Sequence, residues 1–241
     1  MVTLETERIP NNAQPRRLCT TVDRVRVGVY DFAALARMGS TGARTEDAYD
    51  FLTDSGAVVV WQSAPVPPAT VPAPGLGAAI RALTAEPRGV AQLVTVLNRQ
   101  LCNASSRGAG ALWCSRLDLS ADSLTYTDAD HRGAVLLRHP AGVRDLAFDE
   151  STNVGEYAWA TYEEDRVRIH PGDVLLLHTA SLERARNQDG DPFGRTRMIA
   201  MLEQHLDDSA PQLLDRIVEC WQGFSAFADE HVAIVVMKRT R

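Results

Sequence analysis

The chain has 241 residues, 45% of them hydrophobic and 23% charged, with a formal charge of −6. These values describe a globular protein and exclude a disordered, collagen-like or membrane-embedded chain; at this length roughly 70–75% of the unfolded surface is buried without help from disulfides. Of the basic residues only Lys238 is a lysine, the arginines are scattered, and no basic patch recommends nucleic acid as a partner.

Cys19, Cys102, Cys114 and Cys220 are far apart and form no C-x-x-C pair, so they read as free thiols of a reducing compartment. The opening MVTLETERIPNNAQPRR lacks the apolar run of a signal peptide, and no window reaches the roughly 18 apolar residues of a membrane span. A cytoplasmic protein without membrane contact is expected.

Residues 1–20 are polar, with Pro10 and Pro15, and read as a flexible lead-in; residues 21–241 read as a single domain. Val25 to Tyr30 is β-branched and alternating, which predicts a strand. Ala48–Leu52 and Gly56–Trp61 read as strands joined by a hairpin at Asp54-Ser55-Gly56. Ser63 to Gly75 carries five prolines in thirteen residues and is expected to be an extended loop. Apolar spacing predicts helices over Leu76–Ala85 and Val90–Ala104.

From Ala111 to Thr179 the texture changes to short strands: ALWCSRLDL, SLTYTDA, GAVLLRH, VRDLAF, YAWATYEE, RVRIH and DVLLLHT. The gaps are too short for parallel crossovers, so the pairing is expected to be antiparallel. Helices over Arg195–Leu206 and Ala210–Phe227 follow, and HVAIVVMK closes the chain as a strand apolar enough to be central. The order predicts an α+β fold of two stacked antiparallel sheets flanked by helices.

Several of these pieces carry a resemblance. Gly42-Ala43-Arg44-Thr45-Glu46-Asp47, the Leu97-Asn98-Arg99-Gln100-Leu101 helix, Ala129-Asp130-His131, Pro171-Gly172-Asp173, Thr179 with Glu183-Arg184-Ala185-Arg186, Phe193-Gly194 and Asp229-Glu230-His231 follow one another in order and spacing. In that order they resemble the PPM-type metal-dependent serine/threonine protein phosphatases, in particular the bacterial SpoIIE/RsbU/RsbX branch, over residues 25–239. The resemblance implies an α-β-β-α sandwich and hydrolysis of phosphoserine or phosphothreonine by two Mn²⁺ or Mg²⁺ ions. Such ions activate a bridging water and clamp the phosphate, and as hard cations they want several carboxylate oxygens.

Carried over position by position, the resemblance places a first metal carboxylate at Asp47 and a last one at Glu230 or its neighbour Asp229. The second, in an Asp-x-x-Gly-x-Gly motif, falls at Ser63, within Gln62-Ser63-Ala64-Pro65-Val66-Pro67, which has neither carboxylate nor glycine. The third, in Thr-Asp-Gly, falls at Ala180. With two of four carboxylates absent, a pseudophosphatase with no catalytic residue and no resident metal is expected. Mn²⁺- or Mg²⁺-dependent phosphatase activity is the alternative.

The remaining candidates have modest alternatives. Asp47 also reads as a solvated aspartate. Arg44 sits where relatives hold phosphate and suits that task as a guanidinium fork, yet also reads as a surface arginine. His131, His178 and His231 are candidate pocket histidines; His131 reads as a structural hydrogen-bonding group, whereas His178 and His231 with Asp47 and Glu230 would suit zinc or another transition metal. Ser181 lacks a G-x-S-x-G setting, there is no P-loop, and Gly75-Leu76-Gly77 lacks the full dinucleotide fingerprint.

The leading expectation is therefore a protein-binding regulator in a bacterial sigma-factor circuit. Its partner would be an anti-sigma antagonist, an anti-sigma factor or a kinase, with no nucleic acid and no membrane. A binding module that uses the vacated pocket for a small molecule or phosphoprotein is a third reading.

Overall fold

The computed structural model of the protein describes residues 19–38, 49–54, 56–65, 76–84, 89–103, 109–225 and 232–240. The fold is α+β, with two antiparallel sheets and flanking helices. The chain divides into two compact units, one of residues 1–42, 135–145 and 170–241, the other of 43–134 and 146–169. It crosses between them four times, so neither is a contiguous stretch of sequence.

The first unit carries a six-stranded sheet. In chain order its strands are β1 (Cys19–Val27), β2 (Tyr30–Met38), β7 (Ala134–Arg138), β8 (Gly142–Asp145), β10 (Val174–His178) and β11 (Val232–Arg239). Their spatial order is β1-β2-β11-β10-β7-β8. The final strand is central as expected, and Val232 to Met237 are all buried because both faces are covered.

Three helices belong to this unit: α3 (Ala180–Arg184), α4 (Arg195–Gln204) and α5 (Ala210–Phe224). Ser209 caps α5 through a reciprocal box with Gln212, its backbone N–H donating to Gln212 Oε1 at 2.9 Å. Leu213, Leu214, Ile217 and Trp221 recur at helical spacing and pack with Leu35, Ile234 and Val236 of the sheet.

The expected strand Val25–Tyr30 is instead a hairpin. Gly28, at φ 60°, and the exposed Val29 form a two-residue turn that pairs Val27 with Tyr30. A positive φ at the first central position is the demand of a type II′ turn, which glycine meets without steric cost. The second arm of the hairpin, Tyr30–Met38, was not predicted, because alanine-rich stretches carry no strand signal. The first arm opens at Cys19, two residues inside the expected lead-in.

The second unit carries a five-stranded sheet in the order β3-β4-β5-β6-β9. Its strands are β3 (Tyr49–Asp54), β4 (Ala57–Pro65), β5 (Gly110–Asp118), β6 (Ser123–Ala129) and β9 (Asp165–Arg168), each antiparallel to its neighbour. Helices α1 (Leu76–Thr84) and α2 (Val90–Asn103) cover one face, where Val59, Trp61, Leu112 and Cys114 meet Ile80, Leu93, Val94 and Leu97. At the start of α2 the carboxylate of Glu164 accepts the Ala91 N–H at 3.0 Å, supplying negative charge where helix donors are unpaired.

The expected strand YAWATYEE does not form. The neighbouring edge position beside β6 is taken by β9, and the Thr127 hydroxyl binds the Glu163 carbonyl at 2.6 Å. Residues 146–164 form an irregular segment held from below by Asn98 of α2. The side chain of Asn98 accepts the Gly155 N–H at 2.7 Å and donates to the carbonyls of Tyr157 and Ala160 at 2.8 and 3.4 Å. Among the described residues no helix is long and apolar enough to cross a membrane.

Candidate functional site

The candidate positions fall into three groups. Arg44, Asp47, Asp229, Glu230 and His231 lie outside the described residues, as do residues 66–75 of the proline-rich stretch. His178 and Ala180 lie in the first unit, at the end of β10 and the start of α3. Ser63 and His131 lie in the second unit, at the end of β4 and in the turn after β6.

At the β10–α3 corner, Thr179 holds the chain. Its N–H donates to the Ala233 carbonyl at 3.0 Å, and its hydroxyl oxygen accepts the Ala233 N–H at 3.1 Å. Ala180 follows as the first helical residue and is exposed. Strand alternation puts His178 on the face of Val174 and Leu176, the face covered by helices.

There His178 Nε2 lies 3.3 Å from Glu183 Oε1, and Nδ1 lies 3.4 Å from the Thr179 carbonyl oxygen. Burial pushes the His178 imidazole down to about 4, so it is neutral near pH 7 and its approach to Glu183 is not an ion pair. Burial also raises the Glu183 carboxyl above the usual range.

At the end of β4, Ser63 is buried and shares the helix-covered face with Val59 and Trp61. Gln62 points to the opposite face, fully buried, and neither of its amide atoms has a hydrogen-bond partner among the described residues. An unmade hydrogen bond on such a group costs about 1–3 kcal/mol.

The turn after β6 is built around Asp128. Its Oδ1 accepts the N–H groups of His131 and Arg132 at 2.8 and 3.3 Å. Asp130 and Arg132 adopt φ of 56° and 57°, the left-handed region that ordinary side chains avoid. His131 Nδ1 accepts the Gly133 N–H at 3.3 Å, which fixes its proton on Nε2. Burial is the largest influence on Asp128; it outweighs the backbone N–H groups of His131, Arg132 and Phe148 and, with a smaller push from Asp130, raises the carboxyl to about 6.

Asp128, Glu183, Gln62 and the tether role of Asn98 were not singled out from sequence. The Asp128-x-x-His131 spacing is a local signal for a side chain that caps its own turn, whereas the isolation of Gln62 has no local signature. Among the described residues no three His, Cys, Asp or Glu side chains form a group able to hold a metal ion.

The two sheets with their helices define the architecture of PPM-type phosphatase domains. A model of the family "Stage II sporulation protein E (SpoIIE)" matches residues 67–240, and the chain belongs to that family. The RsbU and RsbW domains of Rv1364c from Mycobacterium tuberculosis superpose with a TM-score of 0.72 at 15% identity, over 88% of this chain and 60% of that one. The PP2C phosphatase domain with a regulatory fragment of SpoIIE from Bacillus subtilis gives 0.66 at 10% identity, over 92% and 72%. At these identities the likeness is one of fold.

Among curated proteins, Protein IcfG of Synechocystis sp. is 27% identical over 101 residues, which is 42% of this chain and 16% of that protein. The chain thus spans about a sixth of that relative's length.

The two described positions that the resemblance assigns to metal carboxylates do not fit Mn²⁺ or Mg²⁺. Ala180 offers a methyl group and Ser63 a buried hydroxyl, and neither supplies the anionic oxygen such ions require.

Proposed function

We propose that this chain is a catalytically inactive SpoIIE-type domain that acts by binding a regulatory protein in a bacterial signalling circuit of the sigma-factor type. The observation that carries the reading is Ala180. It occupies the first turn of α3, where the resemblance calls for the aspartate of Thr-Asp-Gly, and it has no atom with which to ligate a cation. Ser63 supports the same reading at the end of β4.

In a two-ion mechanism the metals must activate water and neutralise phosphate charge together. With two ligand positions lacking carboxylates, Asp47 and Glu230 or Asp229 remain as vestigial positions and Arg44 as a phosphate-holding candidate. A protein that keeps the docking shape while losing turnover sequesters a phosphorylated partner instead of processing it. The partner class is an anti-sigma antagonist, an anti-sigma factor or a kinase of the same circuit, in the cytoplasm. The occurrence of RsbU and RsbW domains in one mycobacterial chain supports a partner of this kind.

The test is calorimetric titration with Mn²⁺ and Mg²⁺ alongside a phosphoserine-peptide assay. No saturable metal uptake and no turnover above background are expected. Turnover that Asp47→Ala abolishes would show an active metal-dependent phosphatase and defeat the proposal.

A further inference from the structure

The irregular segment 146–164 carries the largest exposed apolar side chain of the described residues. Trp159 is 75% exposed and Tyr157 43%, while Trp61, Trp113 and Trp221 are buried. The two exposed rings stack on each other with centroids 5.2 Å apart and planes inclined by 28°. Exposed aromatic side chains carry an unfavourable contact with water, and paired on an ordered segment they mark an interaction surface.

This segment is held in place before any partner arrives. Asn98 binds it at Gly155, Tyr157 and Ala160, and Gly110 and Val154 exchange both backbone hydrogen bonds at 3.0 and 2.9 Å. The Tyr162 hydroxyl donates to the Asn153 carbonyl at 3.2 Å. The Tyr157 hydroxyl bonds to Glu156, whose carboxylate also accepts from Asn153 at 3.2 Å. Such preorganisation lowers the ordering cost of binding.

Charge selects the occupant. Residues 149–165 contain Asp149, Glu150, Glu156, Glu163, Glu164 and Asp165 and no lysine or arginine. The net formal charge of this stretch, −6, therefore equals that of the whole chain. Glu156 and Glu163 flank the aromatic pair in sequence and are exposed. A nucleic acid or an anionic membrane would be repelled. A guanidinium is planar, stacks on tryptophan and binds carboxylates through paired hydrogen bonds, so it matches both halves of the surface.

We propose that Tyr157 and Trp159, with the carboxylates of Glu156 and Glu163, form a docking surface for an arginine-rich segment of a protein partner. The proposal uses none of the residues that the resemblance assigns to metal ligation, and it stands whether or not phosphatase chemistry survives.

The experiment uses the full chain and a labelled arginine–serine peptide, with a glutamate–serine peptide and a leucine–serine peptide as controls. Anisotropy gives the affinity, and acrylamide quenching reports Trp159, the tryptophan that solvent reaches. The arginine peptide is expected to bind, to shield Trp159 from quencher, and to weaken as salt is raised. Trp159→Ala is expected to weaken it about tenfold, and Glu156→Gln with Glu163→Gln to weaken it and flatten its salt dependence. An unchanged melting temperature for these exposed substitutions separates lost binding from lost folding.

Failure of the arginine peptide to bind, equal binding by Trp159→Ala, or preference for the leucine peptide overturns the proposal. So does self-association that depends on Trp159 and excludes the peptide, which would make a second copy of the chain the occupant. None of these outcomes bears on metal uptake or phosphopeptide turnover.

Discussion

Asp128 is a buried carboxyl whose burial works against its own charge, and that makes its contribution to stability measurable. Its titration is raised to about 6, mainly because the anion loses its hydration. The folded protein therefore holds this proton more tightly than the unfolded chain. Where the unfolded carboxyl has ionised and the folded one has not, folding takes up a proton, and stability falls as pH rises through about 6. At about 1.4 kcal/mol for each tenfold in proton affinity, the buried anion costs up to about 3 kcal/mol near neutral pH.

Asp128→Asn removes the charge and keeps a carbonyl oxygen for the His131 and Arg132 N–H groups. In urea unfolding followed by tryptophan fluorescence, the variant is expected to exceed the parent by about 2–3 kcal/mol near pH 8. That advantage should shrink toward zero near pH 4, where both side chains are neutral. Asp128→Ala, which leaves both donors without an acceptor, is expected to lose about 1–3 kcal/mol instead. An asparagine variant no more stable than the parent near pH 8, or a difference independent of pH, would refute the reasoning.

Asn98→Ala removes three hydrogen bonds to segment 155–160 and is expected to cost roughly 2–4 kcal/mol, with the Gly155 amide losing its protection from hydrogen exchange. Lys238, buried in β11, donates to the carbonyls of Leu206 and Asp208 at 2.5 Å each, and Lys238→Met is expected to lower urea stability by about 1–3 kcal/mol. His178 is a base whose folded pKa is depressed to about 4, so its unfolded form takes up a proton first and stability is lost as pH falls from about 6.5 toward 4. His178→Gln is expected to remove that acid-side slope, worth up to about 3 kcal/mol, in urea titrations across the same pH range.

Much of the fold was legible because it follows from repeating local rules. The continuous apolar run of Val232 to Met237 required cover on both faces, and the structure places it between β2 and β10. Helices α1, α2, α4 and α5 start within a residue or so of where apolar spacing and turn chemistry put them. Two misreadings have physical causes outside local sequence. Tyr30–Met38 is a strand because β1 and β11 flank it, against the helical leaning of its alanines. Residues 157–164 alternate like a strand but are held by Asn98 and displaced from β6 by β9.

The site was legible in a different measure. Its candidate positions came from motif order, and single side chains at strand ends carry no periodic signal. The tilt of His178 toward Glu183 depends on strand parity and on the helix that follows, neither of which the spacing of histidines reveals. Gln62 and Asp128 are polar residues made unusual by burial, a property set by the rest of the chain.

The separation between folding and chemistry is sharpest at Ala180. The corner it occupies is fastened by Thr179, whose N–H and hydroxyl both bond to Ala233, and by Leu182, which is fully buried. Position 180 itself is exposed, so folding places no demand on its side chain. An aspartate there would stand in the first turn of a helix, where a negative charge is favoured by the unpaired backbone N–H groups. Ala180→Asp is therefore expected to fold with a stability within about 0.5 kcal/mol of the parent. Thermal melts with and without Mn²⁺ check both halves of the argument. An unchanged melt without metal shows that the corner tolerates a carboxylate, and a Mn²⁺-dependent rise in the variant alone shows that the missing ligand limits metal binding. A loss above about 2 kcal/mol in the metal-free variant would mean that alanine is held at this position by packing, and that the corner is not neutral to its side chain.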